Sequence, residues 1–205
     1  MKSKILAALL LVAMAAGVLA GCGEAQIVDL DVFGVTKQSA YLRADGTVQV
    51  AFVEDFTESY YDKNSLKEFA LAVADEFNTE NTYGDALVDG VSVKDKKAVL
   101  LMNFASSSAY SDFASAYDTD PVIKSFDEDE AHMAYDDEAF MPVKKSKKSK
   151  KGSEAITDKV NIVSVSGDVE LQTAGKIMYY TDGELIDDNH IRVFSGADAV
   201  IIYKK

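Results

Sequence analysis

Tyr41-Leu42-Arg43-Ala44-Asp45-Gly46-Thr47-Val48-Gln49-Val50-Ala51-Phe52-Val53 consists of two β-prone runs joined by Asp-Gly. Tight hairpin turns need positive φ, which Gly adopts freely and Asp more readily than most residues, so 41–53 reads as a β-hairpin. Val48, Val50 and Phe52 fall at every second position and share one face, which the period-two pattern assigns to the core. Downstream, Ser65-Leu66-Lys67-Glu68 fits a capping box with Ser65 as N-cap, and Leu66, Phe69, Ala70, Val73 and Phe77 then form the apolar stripe of a helix. The stretch from Asn78 to Gly84 ends it.

The same order then recurs. Val91-Ser92-Val93 and Ala98 to Phe104 flank the polar turn Lys94-Asp95-Lys96-Lys97, which predicts a second hairpin. Ser106, Ser107 and Ser108 offer caps for a second helix, whose stripe is Tyr110, Phe113, Ala114 and Tyr117 and which Asp118 to Pro121 stops. The expected fold class is α+β: an antiparallel sheet from two β-hairpins with two helices on one face (ββαββα), occupying residues 22–121. Six short β-prone runs return at 161–165, 169–172, 176–180, 184–186, 190–194 and 199–203, separated by Gly, Asp, Asn and Ser turns. They predict a C-terminal antiparallel β-meander over 160–205, extending the first sheet or standing as a small subdomain.

Residues 122–159 differ in character. Asp127 to Glu130 and Asp136 to Glu138 are acidic, and Lys144-Lys145-Ser146-Lys147-Lys148-Ser149-Lys150-Lys151 follows. Such a stretch buries little apolar area and is expected to be a charged loop or linker, although Phe126, Met133, Tyr135, Phe140 and Met141 would allow a short helix to pack on the domain.

The N-terminus bears on location. Lys2 and Lys4 precede an uncharged apolar run from Ile5 to Ala20, shorter than the roughly 20 apolar residues of a comfortable span and suited to a signal-peptide core. Leu19-Ala20-Gly21-Cys22 closes it and resembles the lipobox of bacterial lipoproteins. That resemblance implies that residues 1–21 are a signal peptide, that cleavage before Cys22 makes it the new N-terminus, and that its thiol carries a diacylglyceryl group. An ordinary secretory signal or a retained membrane helix are the alternatives. The mature chain would keep 184 of 205 residues, enough for one domain with a sizeable core. In general style the chain also resembles small lipoproteins of anaerobic Gram-positive bacteria, along Ala44-Asp45-Gly46-Thr47-Val48, Val53-Glu54-Asp55-Phe56, Tyr60-Tyr61-Asp62, the Ser65 helix and Ile201-Ile202-Tyr203-Lys204. That likeness implies an envelope location and transfers no activity. Apolar Ile27, Val28, Leu30, Val32 and Phe33 interleave with Asp29 and Asp31 and predict an early strand. The tether from Cys22 would then span only about 15–20 Å, against about three times that if the first strand begins near Ala40.

Cys22 is the sole cysteine, so neither a disulfide framework nor a cysteine nucleophile is available once it is acylated. Without Lys2 and Lys4 the mature chain has 19 basic against 34 acidic residues, about −15, which opposes nucleic-acid binding. No phosphate-binding glycine loop, nucleophile elbow, His-Glu-x-x-His helix or EF-hand loop is present, and no cofactor is implied.

Four constellations remain, each with a plainer alternative. His132 and Asp136 would share a helix face and supply two metal ligands, too few for a site, and His190 is the only other histidine. Glu54 and Asp55 could form a carboxylate pair, yet strand neighbours point to opposite faces and solvation of a strand end explains them. Tyr60, Tyr61, Tyr179 and Tyr180 could stack on a glycan or be half-buried packing with wet hydroxyls. Lys144, Lys145, Lys147, Lys148, Lys150 and Lys151 could contact an anionic surface, although neutralising the neighbouring acids is the simpler role under the chain's negative field. The sequence therefore reads as a membrane-held, extracytoplasmic module that binds an envelope protein or polysaccharide without catalysis. An extracytoplasmic enzyme acting on cell-wall glycan or peptide is the alternative, and transport-linked solute binding comes third. Convergence of two or more of Glu54, Asp55, Asp182, His190 and the tyrosines in one pocket would favour the enzyme.

Overall fold

The computed structural model describes residues 29–31, 34–58, 61–80, 85–143 and 148–205. Cys22, Tyr60, Lys144, Lys145 and Lys147 lie outside the described residues. The first hairpin is β1 (Ser39–Leu42) and β2 (Val48–Asp55), paired with Ala40 opposite Val50 and Leu42 opposite Val48. Gly46 in its turn has φ +87°, and Asp45 braces the turn by accepting from the Thr47 amide at 3.0 Å. The second hairpin is β3 (Ala86–Lys94) and β4 (Lys97–Phe104), closed by Asp95 and Lys96 at φ +51° and +60°. Both turn residues thus take the left-handed conformation that a two-residue hairpin turn demands, without a glycine.

Helix α1 (Lys63–Glu80) buries Leu66, Ala70, Val73 and Phe77 of its expected stripe together with Ala74, while Phe69 is half-buried. Its N-cap is Asp62 rather than Ser65: one Asp62 carboxylate oxygen accepts from the amides of Asn64 and Ser65 at 3.0 and 2.8 Å and from the Ser65 hydroxyl at 3.0 Å. Helix α2 (Ser107–Tyr117) starts at Ser106, whose hydroxyl accepts from the Ala109 amide. Phe104, Phe113 and Phe77 interlock with centroids 5.1 and 5.3 Å apart, and the buried Tyr110 phenol donates to the carbonyl of Pro121.

The α+β class holds, with two hairpins, two helices packed on their apolar face and a C-terminal meander. The meander strands are β8 (Val160–Ser166), β9 (Val169–Thr173), β10 (Ile177–Tyr180), β11 (Glu184–Asp187), β12 (His190–Val193) and β13 (Asp198–Lys204). They divide between two sheets. β9, β12 and β11 continue the hairpin sheet in the order β11-β12-β9-β1-β2-β4-β3, where β1 and β9 are parallel and the other pairs antiparallel. Leu171 and Ile191 thereby join Ala40, Val50 and Met102 in one apolar row across the inner face. β8, β13 and β10 form the centre of a second, antiparallel sheet whose Val163, Val165, Ala199 and Ile201 enter the same core.

The stretch 122–159 departs from the expected loop. It contains β5 (Val122–Phe126), α3 (Glu128–Tyr135), β6 (Ala139–Pro142), β7 (Lys150–Lys151) and α4 (Gly152–Ala155). β5 pairs with β8, and β6 pairs with β10, placing the segment at both ends of the second sheet. The physical reason is burial. Ala131, Phe140, Ala155 and Ile156 meet Ile162, Tyr179, Val200 and Ile202 in a second core on the far face of that sheet, while the acids stay in solvent. Asp127 accepts from the Glu130 amide to cap α3, and three acids in its first turn suit the helix dipole. Among the described residues no helix is long and apolar enough to cross a membrane.

Residues 29–31 are not strand, Ile27, Val28, Val32 and Phe33 of the expected early strand lie outside the described residues, and Asp29, Leu30 and Val35 contact the domain. The Leu30 amide donates to the Gln49 side chain at 2.7 Å, and Asp29 pairs with Arg43 at 2.8 Å. Leu30 and Val35 pack over Ala51, Val99 and Leu101 on the outer face of the seven-stranded sheet.

Candidate functional site

An open groove of about 460 Å³, lined mainly by polar and charged side chains, lies at one end of the seven-stranded sheet. Four separate pieces of chain build it: Thr36 to Gln38 leading into β1, Phe52 to Glu54 ending β2, Asp118 to Asp120 after α2, and the β8–β9 turn with Gly167 and Asp168. Arg192 and Ser195 complete the wall. Gln38 ties two of these pieces together: its amide oxygen accepts from the Val53 amide at 2.9 Å and its NH₂ donates to the Asp120 carbonyl at 2.5 Å. Gly167, at φ +101°, lets the turn approach Pro121, because a Cβ there would stand 3.3 Å from the Pro121 Cα.

The cations of the groove are matched to carboxylates. Lys37 pairs with Glu170 at 2.5 Å, Arg192 with Asp168 at 3.1 Å, and Lys97 with Asp55 at 3.1 Å. Glu54, Asp118 and Asp120 have no ion pair with a described residue. Loss of water at the groove wall, helped by the neighbouring Asp55, raises the pKa of the Glu54 carboxyl against the pull of Lys97. The phenol of Tyr110, behind the groove wall, is held above its ordinary value chiefly by burial and then by the charge of Asp120.

The other sequence candidates are dispersed. Glu54 and Asp55 do diverge, the first into the groove and the second to Lys97. Asp182 lines a separate cleft of about 510 Å³ on the second sheet, with Tyr135, Glu138 and Asp198. Neither this cleft nor the groove brings together two of the carboxylates, histidines and tyrosines weighed from sequence. His132 and Asp136 meet at 2.6 Å on α3, but no group of three His, Cys, Asp or Glu among the described residues could hold a metal. His190 lies in β12 opposite Gln172, in the other sheet. Tyr61 stacks on Phe56 at 5.0 Å, Tyr179 is buried in the second core and Tyr180 packs against the first, so the tyrosines form no common face.

Of the lysine run, Lys148 and Lys151 are exposed and Lys150 is half-buried, and Lys150 and Lys151 form β7. Lys150 donates to the Glu154 carbonyl at 3.1 Å and lies over the Tyr179 ring, and Lys151 pairs with Asp137 at 2.8 Å. That pairing lowers the Asp137 pKa and raises that of Lys151.

Sequence reasoning missed most of the groove. Its residues come from loops and strand ends up to about 160 positions apart, and no local spacing links Gln38 or Asp120 to Arg192. The one local signal was Asp118-Thr119-Asp120-Pro121, which read only as a helix stop. No protein-family model matches the chain, and no curated protein or solved structure matches it either.

Proposed function

We propose that the protein is a lipid-anchored, extracytoplasmic binding module of the cell envelope, held at the membrane through Cys22 and recognising an envelope protein or polysaccharide. The single observation that carries the reading is Leu19-Ala20-Gly21-Cys22 in register behind a charged start and an apolar run of signal-peptide length. Support for binding comes from the groove, where paired charges fix the walls and Glu54, Asp118 and Asp120 offer acceptors to hydroxyl, amide or ammonium groups. The test is crosslinking on intact cells followed by identification of captured partners, with Cys22→Ala as control. An envelope partner captured by the native chain and lost from the Cys22→Ala variant is the expected result. Failure of the native chain to capture any would overturn the binding role.

One observation favours the second reading, an enzyme acting on cell-wall glycan or peptide. Glu54 has a raised pKa in a polar groove, as a general acid requires. Hydrolysis of purified cell wall that disappears in Glu54→Gln would select that reading over the first.

A further inference from the structure

We propose that a small cavity walled by the β1–β2 turn, the start of α2 and the second sheet binds a single neutral sugar unit, with the phenol of Tyr203 as its central polar contact. The site is separate from the groove and does not depend on Cys22. The groove lies where β1 begins and where β2 and α2 end, whereas this cavity, of about 180 Å³, lies where β1 ends and where β2 and α2 begin.

The wall departs from what a core requires. On three neighbouring strands of the second sheet the core-facing row is aliphatic and turns polar toward this end: Val163 gives way to Asn161 on β8, Ile201 to Tyr203 on β13 and Ile123 to Ser125 on β5. Asn161 and Tyr203 stand directly opposite each other. Tyr203 is only 8% exposed, and its hydroxyl has no hydrogen-bond partner among the described residues, in keeping with a phenol pushed up to about 12 by burial alone. The side chains of half-buried Asn161 and Ser107 and of exposed Ser125 likewise have no partner among the described residues. Buried polar groups in folded proteins nearly always have partners. An unpaired phenol beside three more unpaired polar groups therefore points to a molecule that enters the cavity.

The chemistry of the wall selects the ligand. Arg43 is its one ionised side chain among the described residues and is already committed, Nε donating to Asp29 and Nη1 to Asn103, each at 2.8 Å. An anion would meet a neutralised arginine in a chain of net charge −13, and an ammonium group would meet no carboxylate on the wall. What remains is a set of hydroxyl and amide groups that both donate and accept, beside the ring of a tyrosine. A sugar ring matches that set, because its hydroxyls also donate and accept while its C–H faces pack on an aromatic ring. Pockets for drug-sized ligands span roughly 300–1,000 Å³, so this smaller cavity has room for one ring rather than for a chain.

The test is a ligand-observed NMR titration of the full chain, held in a sugar-free detergent, with glucose, galactose, N-acetylglucosamine, the N-acetylglucosamine trimer and inorganic phosphate. At least one neutral sugar should bind saturably, and Tyr203→Phe should weaken it at least about fivefold, as the loss of one hydrogen bond implies. Asn161→Ala should weaken the same sugar. Tyr203→Phe removes a hydroxyl that has no partner in the fold, so its Tm should not fall, which separates lost recognition from lost folding. Trimer binding as tight as that of the monomer would identify the end of a glycan as the ligand, and binding of the monomer alone a free sugar; both support the site. Absence of saturable sugar binding, or tighter binding of phosphate than of any sugar, would overturn it. So would sugar binding that Glu54→Gln abolishes and Tyr203→Phe leaves intact, by placing recognition in the groove.

Discussion

Gly152→Ala probes whether the charged stretch 122–159 is an integral part of the fold. A Cβ on Gly152 would stand 1.8 Å from the carbonyl oxygen of Tyr135 and 2.6 Å from its carbon. Both obstacles are backbone, so α4 would have to retreat by about 1.5 Å to reach an ordinary C···O contact of about 3.3 Å. That movement breaks the bonds from the Gly152 amide to the Glu138 carbonyl at 3.0 Å and from the Ser153 amide to the Asp136 carbonyl at 3.1 Å. Two such bonds contribute about 1 kcal/mol each, and overpacking adds about 1–3 kcal/mol, so the expected loss is about 3–5 kcal/mol. For a domain of this size that lowers Tm by about 6–20 °C in a reversible thermal melt, checked by urea titration. Gly46→Ala is the control. Nothing lies within 4 Å of its Cβ position, and its φ of +87° alone should cost about 1 kcal/mol. A Gly152→Ala loss below about 0.5 kcal/mol would refute the packing of α4 against the end of α3.

Three further outcomes follow from the same contacts. Lys96→Gly should raise stability by about 0.5–1 kcal/mol in urea unfolding, because Lys96 sits at φ +60° in the β3–β4 turn. Asp62→Ala should cost about 1 kcal/mol and lower helicity by circular dichroism, whereas Ser65→Ala should cost markedly less, since Asp62 holds the first amides of α1. Tyr203 is pushed up to about 12 by burial and Tyr110 is also raised, so the folded state keeps their protons where the unfolded chain releases them. Their contribution to stability is full below about pH 10 and falls as pH rises toward 12. An ultraviolet phenolate titration should show these two among the last to ionise, together with unfolding.

The hairpins and the helix stripes were legible because each is local. Asp45-Gly46 marks a turn, Val48, Val50 and Phe52 alternate, and Leu66 to Phe77 recur at helical spacing. The cap of α1 was misplaced by three residues because Ser65 and Glu68 imitate a capping box inside a turn that Asp62 already closes. In 122–159 the abundant charge concealed how few apolar groups suffice: Ile123, Ala131, Phe140 and Ile156 are buried, and strands on either side supply their partners. The division of the meander between two sheets was not legible, since β8 and β9 have similar local patterns and only long-range pairing assigns them. The groove was the least legible part, because Gln38, Glu54, Asp120 and Arg192 meet only after both sheets have formed.

The claim that this is a membrane-held envelope module depends most directly on Cys22. Intact-mass analysis of the mature N-terminus, with partition between aqueous and detergent phases, should find the chain beginning at an acylated Cys22 and entering the detergent phase. The Cys22→Ala variant should retain residues 1–21 and carry no acyl group. A native chain cleaved at another position without an acyl group, and recovered in the aqueous phase, would contradict the account.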